Sequence, residues 1–270
     1  MTEANTTQAV DGVPLQIEGQ GEQTLVMVHG WPDSARLWDA QVAHFAPQFR
    51  CVRFTLPGFD VGAPPRALSL DDTVGFLRRV VEAVSPGRPV TLMIHDWGAI
   101  FGYEFAMRHP ELVARIVAID VADPTSGAWR REVGKRALLG AAAYQLWLAL
   151  AWGIGRRISA ALGHRMTRWM ARTMRCPAPP EHIGWSMNYP YAITWFGLLG
   201  GYKKLQRVQP SCPVFFAWGT RKPFMFHSSR WLQWLAADPR HHAQAFHANH
   251  WVMVGAASEF NSAVQRWLAK

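Results

Sequence analysis

Residues 89–99 read Pro-Val-Thr-Leu-Met-Ile-His-Asp-Trp-Gly-Ala. The short apolar run after the proline predicts a buried strand over 89–96. Gly98 and Ala99 follow, and then a helical pattern that runs to His109 and stops at Pro110. A strand that bends straight into a helix needs small residues at the corner, and the bend lifts the corner side chain, Asp96, out of the sheet. The N–H groups and positive potential at the start of the helix keep a carboxylate there ionised and nucleophilic. An aspartate in this place also serves as an ordinary N-cap, so any chemistry has to be argued from its partners.

The same rhythm extends outward in both directions. Strands are predicted at 24–30, 49–58, 113–120, 213–219 and 243–248, with helices near 34–44, 70–84, 228–236 and 257–268. Strands alternating with helices predict an α/β fold, a mostly parallel sheet covered by helices. From about Ala122 to Gln209 the pattern holds no convincing strand, only helical sequence rich in Arg and Trp. The expected organisation is a core of residues 1–123 and 210–270 interrupted by a helical lid over 124–209.

His250 follows the last predicted strand, in a loop that reaches the same sheet edge as Asp96. That position makes it the candidate base among 11 histidines. Asp120 closes strand 113–120 at this edge and is placed to orient the imidazole, with Asp123 as the fallback. A carboxylate nucleophile attacking a carbonyl would form an anhydride. Attack on a saturated carbon forms an ester that water can cleave, so Asp96 points to epoxides or carbon–halogen bonds.

With these residues the chain resembles the α/β-hydrolase superfamily, in its epoxide hydrolase and haloalkane dehalogenase branch. His29-Gly30-Trp31-Pro32-Asp33-Ser34 resembles the oxyanion loop, Ile94-His95-Asp96-Trp97-Gly98 the nucleophile elbow, and Asn249-His250-Trp251 the base. The resemblance implies an α/β-hydrolase fold with the lid inserted after the sixth strand. It implies that the N–H groups of Trp31 and Trp97, beside His29, hold the oxyanion. The segment 218–223 has no carboxylate where the branch commonly keeps its acid, so the acid is expected at Asp120. Tyr144-Gln145-Leu146 and Asn188-Tyr189-Pro190-Tyr191 resemble the lid segments that carry two proton-donating tyrosines. Tyr144 and Tyr191 are therefore the expected donors, with Tyr189 the alternative to Tyr191. The implied activity is hydrolysis of an epoxide to a diol through an alkyl-aspartyl ester. The alternatives are a haloalkane dehalogenase, with Trp97 and a lid tryptophan on the halide, or a catalytically silent fold that binds a lipophilic ligand.

Composition excludes other classes. Hydrophobic residues make up 49% of the 270 and charged residues 17%, which rules out intrinsic disorder. Three widely spaced cysteines without a CxxC pair predict a reduced, cytoplasmic protein. Residues 1–7 carry neither the basic nor the apolar region of a signal peptide. No HExxH, phosphate loop or dinucleotide fingerprint occurs, so neither metal nor cofactor is expected. Ten basic residues and one acidic one, Glu132, lie between Arg130 and Cys176, which places the whole net charge of +9 in the lid. Residues 137–155 are uncharged and flanked by arginines, the pattern of a membrane span. Both ends must rejoin one core, however, which predicts a buried or interface-seeking helix instead. The expected partners are a lipophilic substrate and peripheral membrane contact through the basic lid. Nucleic acid is excluded, because the basic stretch is apolar-rich and no binding motif is present.

Overall fold

A computed structural model describes residues 6–270. Its eight strands are β1 (Thr6–Val10), β2 (Val13–Glu18), β3 (Thr24–Val28), β4 (Arg50–Arg53), β5 (Val90–His95), β6 (Val113–Ile119), β7 (Val214–Gly219) and β8 (His242–Phe246). They form one sheet in the order β1-β2-β4-β3-β5-β6-β7-β8. The pairs of β1 with β2 and of β2 with β4 are antiparallel, and all others are parallel. This is an α/β-hydrolase fold.

The antiparallel pair β1–β2 is absent from the sequence-based expectation. Its signal is the Asp11-Gly12 turn, with φ of 51° and 78°, which is the positive-φ pair of a two-residue hairpin. The alternation of buried Leu15 and Ile17 with exposed Gln16 completes that signal.

Side chains of the central strands alternate between two cores. Val26, Leu92, Ile94, Ile116 and Phe216 join one cluster, and Leu25, Met27, Met93, Val117 and Phe215 join the other. Both sheet faces are thus covered, which is why β3 and β5 are buried along their whole lengths. The first core is closed by α2 (Leu70–Val84), α3 (Trp97–Arg108) and α8 (Ser229–Ala236). The second is closed by α1 (Asp39–Phe45) and α10 (Ala257–Leu268), with α9 (Val252–Gly255) beside it. Helix α2 begins at a capping box in which Ser69 and Asp72 satisfy each other's backbone N–H groups.

Between β6 and β7 the described chain is helical: α4 (Gly127–Val133), α5 (Lys135–Arg157), α6 (Ala160–Thr173) and α7 (Tyr189–Phe196). Helix α5 is long and apolar enough to cross a membrane by length and composition, and only 28% of its apolar stretch is buried by the rest of the described protein. It packs on α6 and α7, and its Leu148, Ala149 and Trp152 join Met170 and Ala171 of α6 and Ala192 and Ile193 of α7 in one core. The insertion leaves from the C-terminal end of β6, and its Tyr144, Trp147 and Tyr191 line one cavity with Asp96 and His250. It therefore covers the sheet edge on which the candidate residues stand before the chain returns to the start of β7.

Candidate active site

Asp96 sits at the β5–α3 corner with φ 54° and ψ −124°. That conformation is unfavourable for any L-residue, on the order of 1–3 kcal/mol, and it persists only because its surroundings fix it. A β-carbon on Gly98 would lie 2.3 Å from the carbonyl oxygens of His29 and Val28, so only glycine lets α3 start this close to β3. The tight approach brings the β3 loop onto the carboxylate. The backbone N–H of Trp31 donates to Asp96 Oδ1 at 2.6 Å, and the N–H of Trp97 also favours the ionised form. Burial alone would raise the carboxyl's pKa. The bond and positive charge of His250, with these N–H groups, outweigh it and bring the pKa below the ordinary value.

His250 stands between the two aspartates. Its Nε2 is 3.5 Å from Asp96 Oδ2 and its Nδ1 2.6 Å from Asp120 Oδ2. Burial disfavours the imidazolium, but the bonds to Asp120 and Asp96 prevail and raise its pKa to about 9. Asp120, at φ 67°, is fully buried. Its Oδ1 accepts from the Gly219 N–H at 3.0 Å and forms an ion pair with Lys222. Burial works to raise the pKa of Asp120, but the Lys222 and His250 charges hold it well below the usual carboxylate range. Asp123, the fallback acid, is engaged elsewhere. It accepts from the Ser228 N–H at 2.8 Å and from the hydroxyls of Ser228 and Ser126, anchoring the start of α8.

Four residues at the site went unassigned in the sequence. Lys222 lies in the segment noted only for lacking an acid. Its side chain is 6% exposed and supplies the counter-charge that allows Asp120 to be buried ionised. His95 lies beneath His250 with ring centroids 4.4 Å apart, and its Nε2 donates to the His250 carbonyl at 3.2 Å. Burial lowers its pKa to about 3, so it stays neutral and positions the base's backbone. Asn188 joins the sheet to the insertion. Its Oδ1 accepts from the Trp31 indole at 2.7 Å and its amide donates to Thr167 on α6 at 2.7 Å, all of them buried. Asp33 accepts from the Trp251 indole at 2.8 Å.

Asp33 is buried with its pKa pushed up to about 7, chiefly by desolvation and further by the negative charge of Asp96. A carboxyl whose folded pKa lies above its unfolded value costs stability once ionised. The cost is absent below the unfolded pKa, grows as pH rises, and is complete above about 7. Asp33→Asn keeps an acceptor for Trp251 and should stabilise the fold by on the order of 3 kcal/mol near pH 8 but by under about 1 kcal/mol near pH 4. Urea midpoints at the two pH values check this, and an equal gain at both would refute it.

A cavity of about 1360 Å³ opens above Asp96 and His250 and is lined by Tyr144, Trp147 and Tyr191 of the insertion. Tyr191 packs edge-on against Trp31, Trp97 and Tyr144, with ring centroids 5.8, 5.3 and 6.1 Å away. Desolvation raises the phenol pKa of Tyr144 to about 12 and holds that of Tyr191 well above the ordinary phenol value, so both are protonated at neutral pH. Tyr189 is not among the lining residues, contrary to its sequence-based assignment. Two positions away on α7 it turns into the core against Phe59, fully buried, because successive helix positions separate by about 100°. His29 is also absent from the cavity wall. Its Nδ1 bonds the Gly30 carbonyl and its Nε2 accepts from the Leu56 N–H, both at 2.9 Å, so it braces the loop that carries Trp31.

Comparison with known proteins agrees with this architecture. The family described as alpha/beta hydrolase fold matches residues 23–175, more than half of the chain. The protein belongs to that family. The hydrolase is 36% identical over 103 residues to Epoxide hydrolase 2 of Caenorhabditis elegans, covering 37% of this chain and 29% of that one. It is 26% identical over 264 residues to the cis-3-alkyl-4-alkyloxetan-2-one decarboxylase of Xanthomonas campestris pv. campestris, covering 86% and 83% of the two chains. The aligned part spans about 30% of Epoxide hydrolases 1 and 2 of the nematode. Among solved structures, Bacillus megaterium epoxide hydrolase with an inhibitor superposes with a TM-score of 0.72 at 21% identity, over 98% of this hydrolase and 100% of that one. A putative epoxide hydrolase from Pseudomonas aeruginosa gives a TM-score of 0.68 at 20% identity, over 98% and 94%.

Proposed function

We propose that this protein opens an epoxide to a vicinal diol through an alkyl ester on Asp96. The observation that carries the reading is a cavity with an ionised aspartate on its floor and two protonated phenols, Tyr144 and Tyr191, on its wall.

The reaction follows from the hydrogen bonds. Asp96 Oδ1 is held by Trp31, which leaves Oδ2 to attack a ring carbon. The C–O bond breaks as the tyrosines give a proton to the oxygen. Esterification removes the charge of Asp96, one of the two partners that raise the His250 pKa, so the pKa falls, the imidazolium's proton goes to restore the phenol, and the imidazole becomes a base at neutral pH. Water enters between His250 and the ester, loses a proton to Nε2 and attacks Cγ. The oxyanion develops on Oδ1, where the N–H groups of Trp31 and Trp97 stabilise it. Collapse of the intermediate releases the diol and restores the carboxylate. The helical insertion acts as a lid in this scheme, its tyrosines fixed over the sheet by the Trp31–Asn188–Thr167 chain.

The haloalkane reading is less well supported, because the cavity-lining lid indole of Trp147 donates to the Met166 carbonyl at 3.1 Å and the Trp31 indole donates to Asn188, so neither is free to hold a halide beside Trp97. The long alignment with an oxetanone decarboxylase favours a second reading, in which the electrophile is a four-membered lactone. Attack by Oδ2 on the alkyl ring carbon would displace the carboxylate, and loss of carbon dioxide with expulsion of Asp96 would leave an alkene, with no water consumed. The same protein offered a disubstituted epoxide, a cis-dialkyl oxetanone and a bromoalkane separates these chemistries. Diol from the epoxide alone is expected. Carbon dioxide and alkene, or free bromide, as the faster product would replace the epoxide reading.

A further inference from the structure

Helix α5 wears its amphipathicity inside out. Its exposed stripe, at spacings of three and four, is Leu139, Ala143, Leu146 and Leu150, with Gly140 beside it and Arg136 and Arg157 at its ends. A solvent-facing stripe is normally polar, and here the stripe carries no polar side chain between Arg136 and Arg157, the half-buried Tyr144 and Gln145 lying beside it. Leu139 is 71% exposed, and Ile158, just past the helix, is 77% exposed. On α6 the exposed stripe is Leu162, Arg165, Trp169 and Arg172, so apolar and cationic groups alternate along it. The two helices are locked side by side by Trp147 and Trp169, whose rings lie 5.1 Å apart. Nine of the ten large hydrophobic residues found exposed among the described residues fall within 139–199. Six of the nine, Leu139, Leu146, Leu150, Ile158, Leu162 and Trp169, belong to α5, α6 and the turn between them, a concentration that marks an interaction surface rather than chance exposure.

We propose that the α5–α6 face docks peripherally on an anionic membrane surface. The leucines and Trp169 enter the headgroup–acyl boundary while Arg156, Arg157, Arg165 and Arg172 meet the lipid phosphates. The charge pattern selects this partner: no described carboxylate lies within salt-bridge distance of these four arginines, and the apolar stripe they flank suits an acyl boundary rather than water. Gly140, Ala143 and Trp169 belong both to the exposed face and to the cavity wall, so the mouth above Asp96 opens on the docked surface. A lipophilic substrate would then reach Asp96 from the bilayer. Docking itself does not depend on the reaction proposed for Asp96, and its test reads no turnover.

The test is flotation of the purified protein with vesicles of phosphatidylcholine alone and of phosphatidylcholine with phosphatidylglycerol. Binding to the anionic vesicles is expected to exceed binding to the neutral ones by about tenfold or more, and to fall at least as far at molar salt, where charges are screened. Leu139→Asp with Leu150→Asp, and separately Arg156→Ser with Arg157→Ser, should each reduce anionic binding by about tenfold. None of the four residues lines the cavity. An unchanged thermal melt shows that each variant folds, and Leu150→Gln alone is the milder substitute should the double aspartate variant melt early. Equal binding to both vesicles, or full binding by the folded variants, would overturn the proposal. So would light scattering that shows a dimer which the aspartate variant converts to monomer, since a second copy would then be what covers the face.

Discussion

His250→Ala should stop turnover with the substrate still attached. The first step needs an ionised Asp96 and a proton donor: the tyrosines supply the proton, and the Trp31 and Trp97 N–H groups still favour the carboxylate. The His250 charge that helps to lower its pKa is lost, so the reaction is run at alkaline pH, where Asp96 stays ionised. The second step needs a base for water, and His250 Nε2 is the ring nitrogen that faces Asp96, 3.5 Å away. Loss of a positioned base slows such a step by roughly 10²–10⁴-fold. Intact-mass spectrometry after mixing with an epoxide should therefore show the protein heavier by one whole epoxide, on a peptide containing Asp96. Because epoxide opening adds every atom, the increment equals the substrate mass, whereas a bromoalkane would add its alkyl group alone. Asp96→Asn in the same background should remain unmodified. No adduct on His250→Ala, with turnover also lost, would remove the covalent scheme.

The second large effect belongs to the phenols. An epoxide oxygen is a poor leaving group unless a proton reaches it, and Tyr144 and Tyr191 are the protonated phenols that line the cavity with Asp96. Removing one preorganised donor to a developing oxyanion costs roughly 10²–10³-fold. The two act on the same oxygen, so the double variant Tyr144→Phe/Tyr191→Phe should lose about 10⁴-fold or more in the rate of ester formation, with each single variant in between. Stopped-flow tryptophan fluorescence reads ester formation directly, since the Trp31 and Trp97 rings pack against Tyr191 near Asp96. Epoxide opening that survives both substitutions within tenfold would assign proton donation to another group.

Residues 89–99 were legible because everything they specify is local. A short apolar run makes a strand, two small residues allow a sharp corner, and an aspartate between them has to leave the sheet. Position at the C-terminal edge likewise pointed to Asp120 and His250, which the fold places 2.6 Å apart although 130 residues separate them in the chain. The β1–β2 hairpin was locally encoded too, in Asp11-Gly12, but β2 alternates buried with exposed positions, so the continuous apolar run that marked the central strands was missing.

Sidedness and pairing were decided in three dimensions. Tyr189 and Tyr191 share one helix and one motif. Only the angle at which α7 meets the sheet sends one ring into the core and the other into the cavity. Asp120 directly follows β6 and Asp123 lies three residues on; Asp120 meets His250, while Ser126 and Ser228 engage Asp123 at the start of α8. Lys222 and Asn188 were invisible, since a counter-ion 102 residues from its carboxylate and an amide 157 residues from its indole have no signature in composition or period. Periodicity reports how a segment packs against whatever lies beside it. Which residue lies beside it, and hence whether a buried charge is balanced, depends on contacts that exist only once the sheet and its insertion have closed on each other.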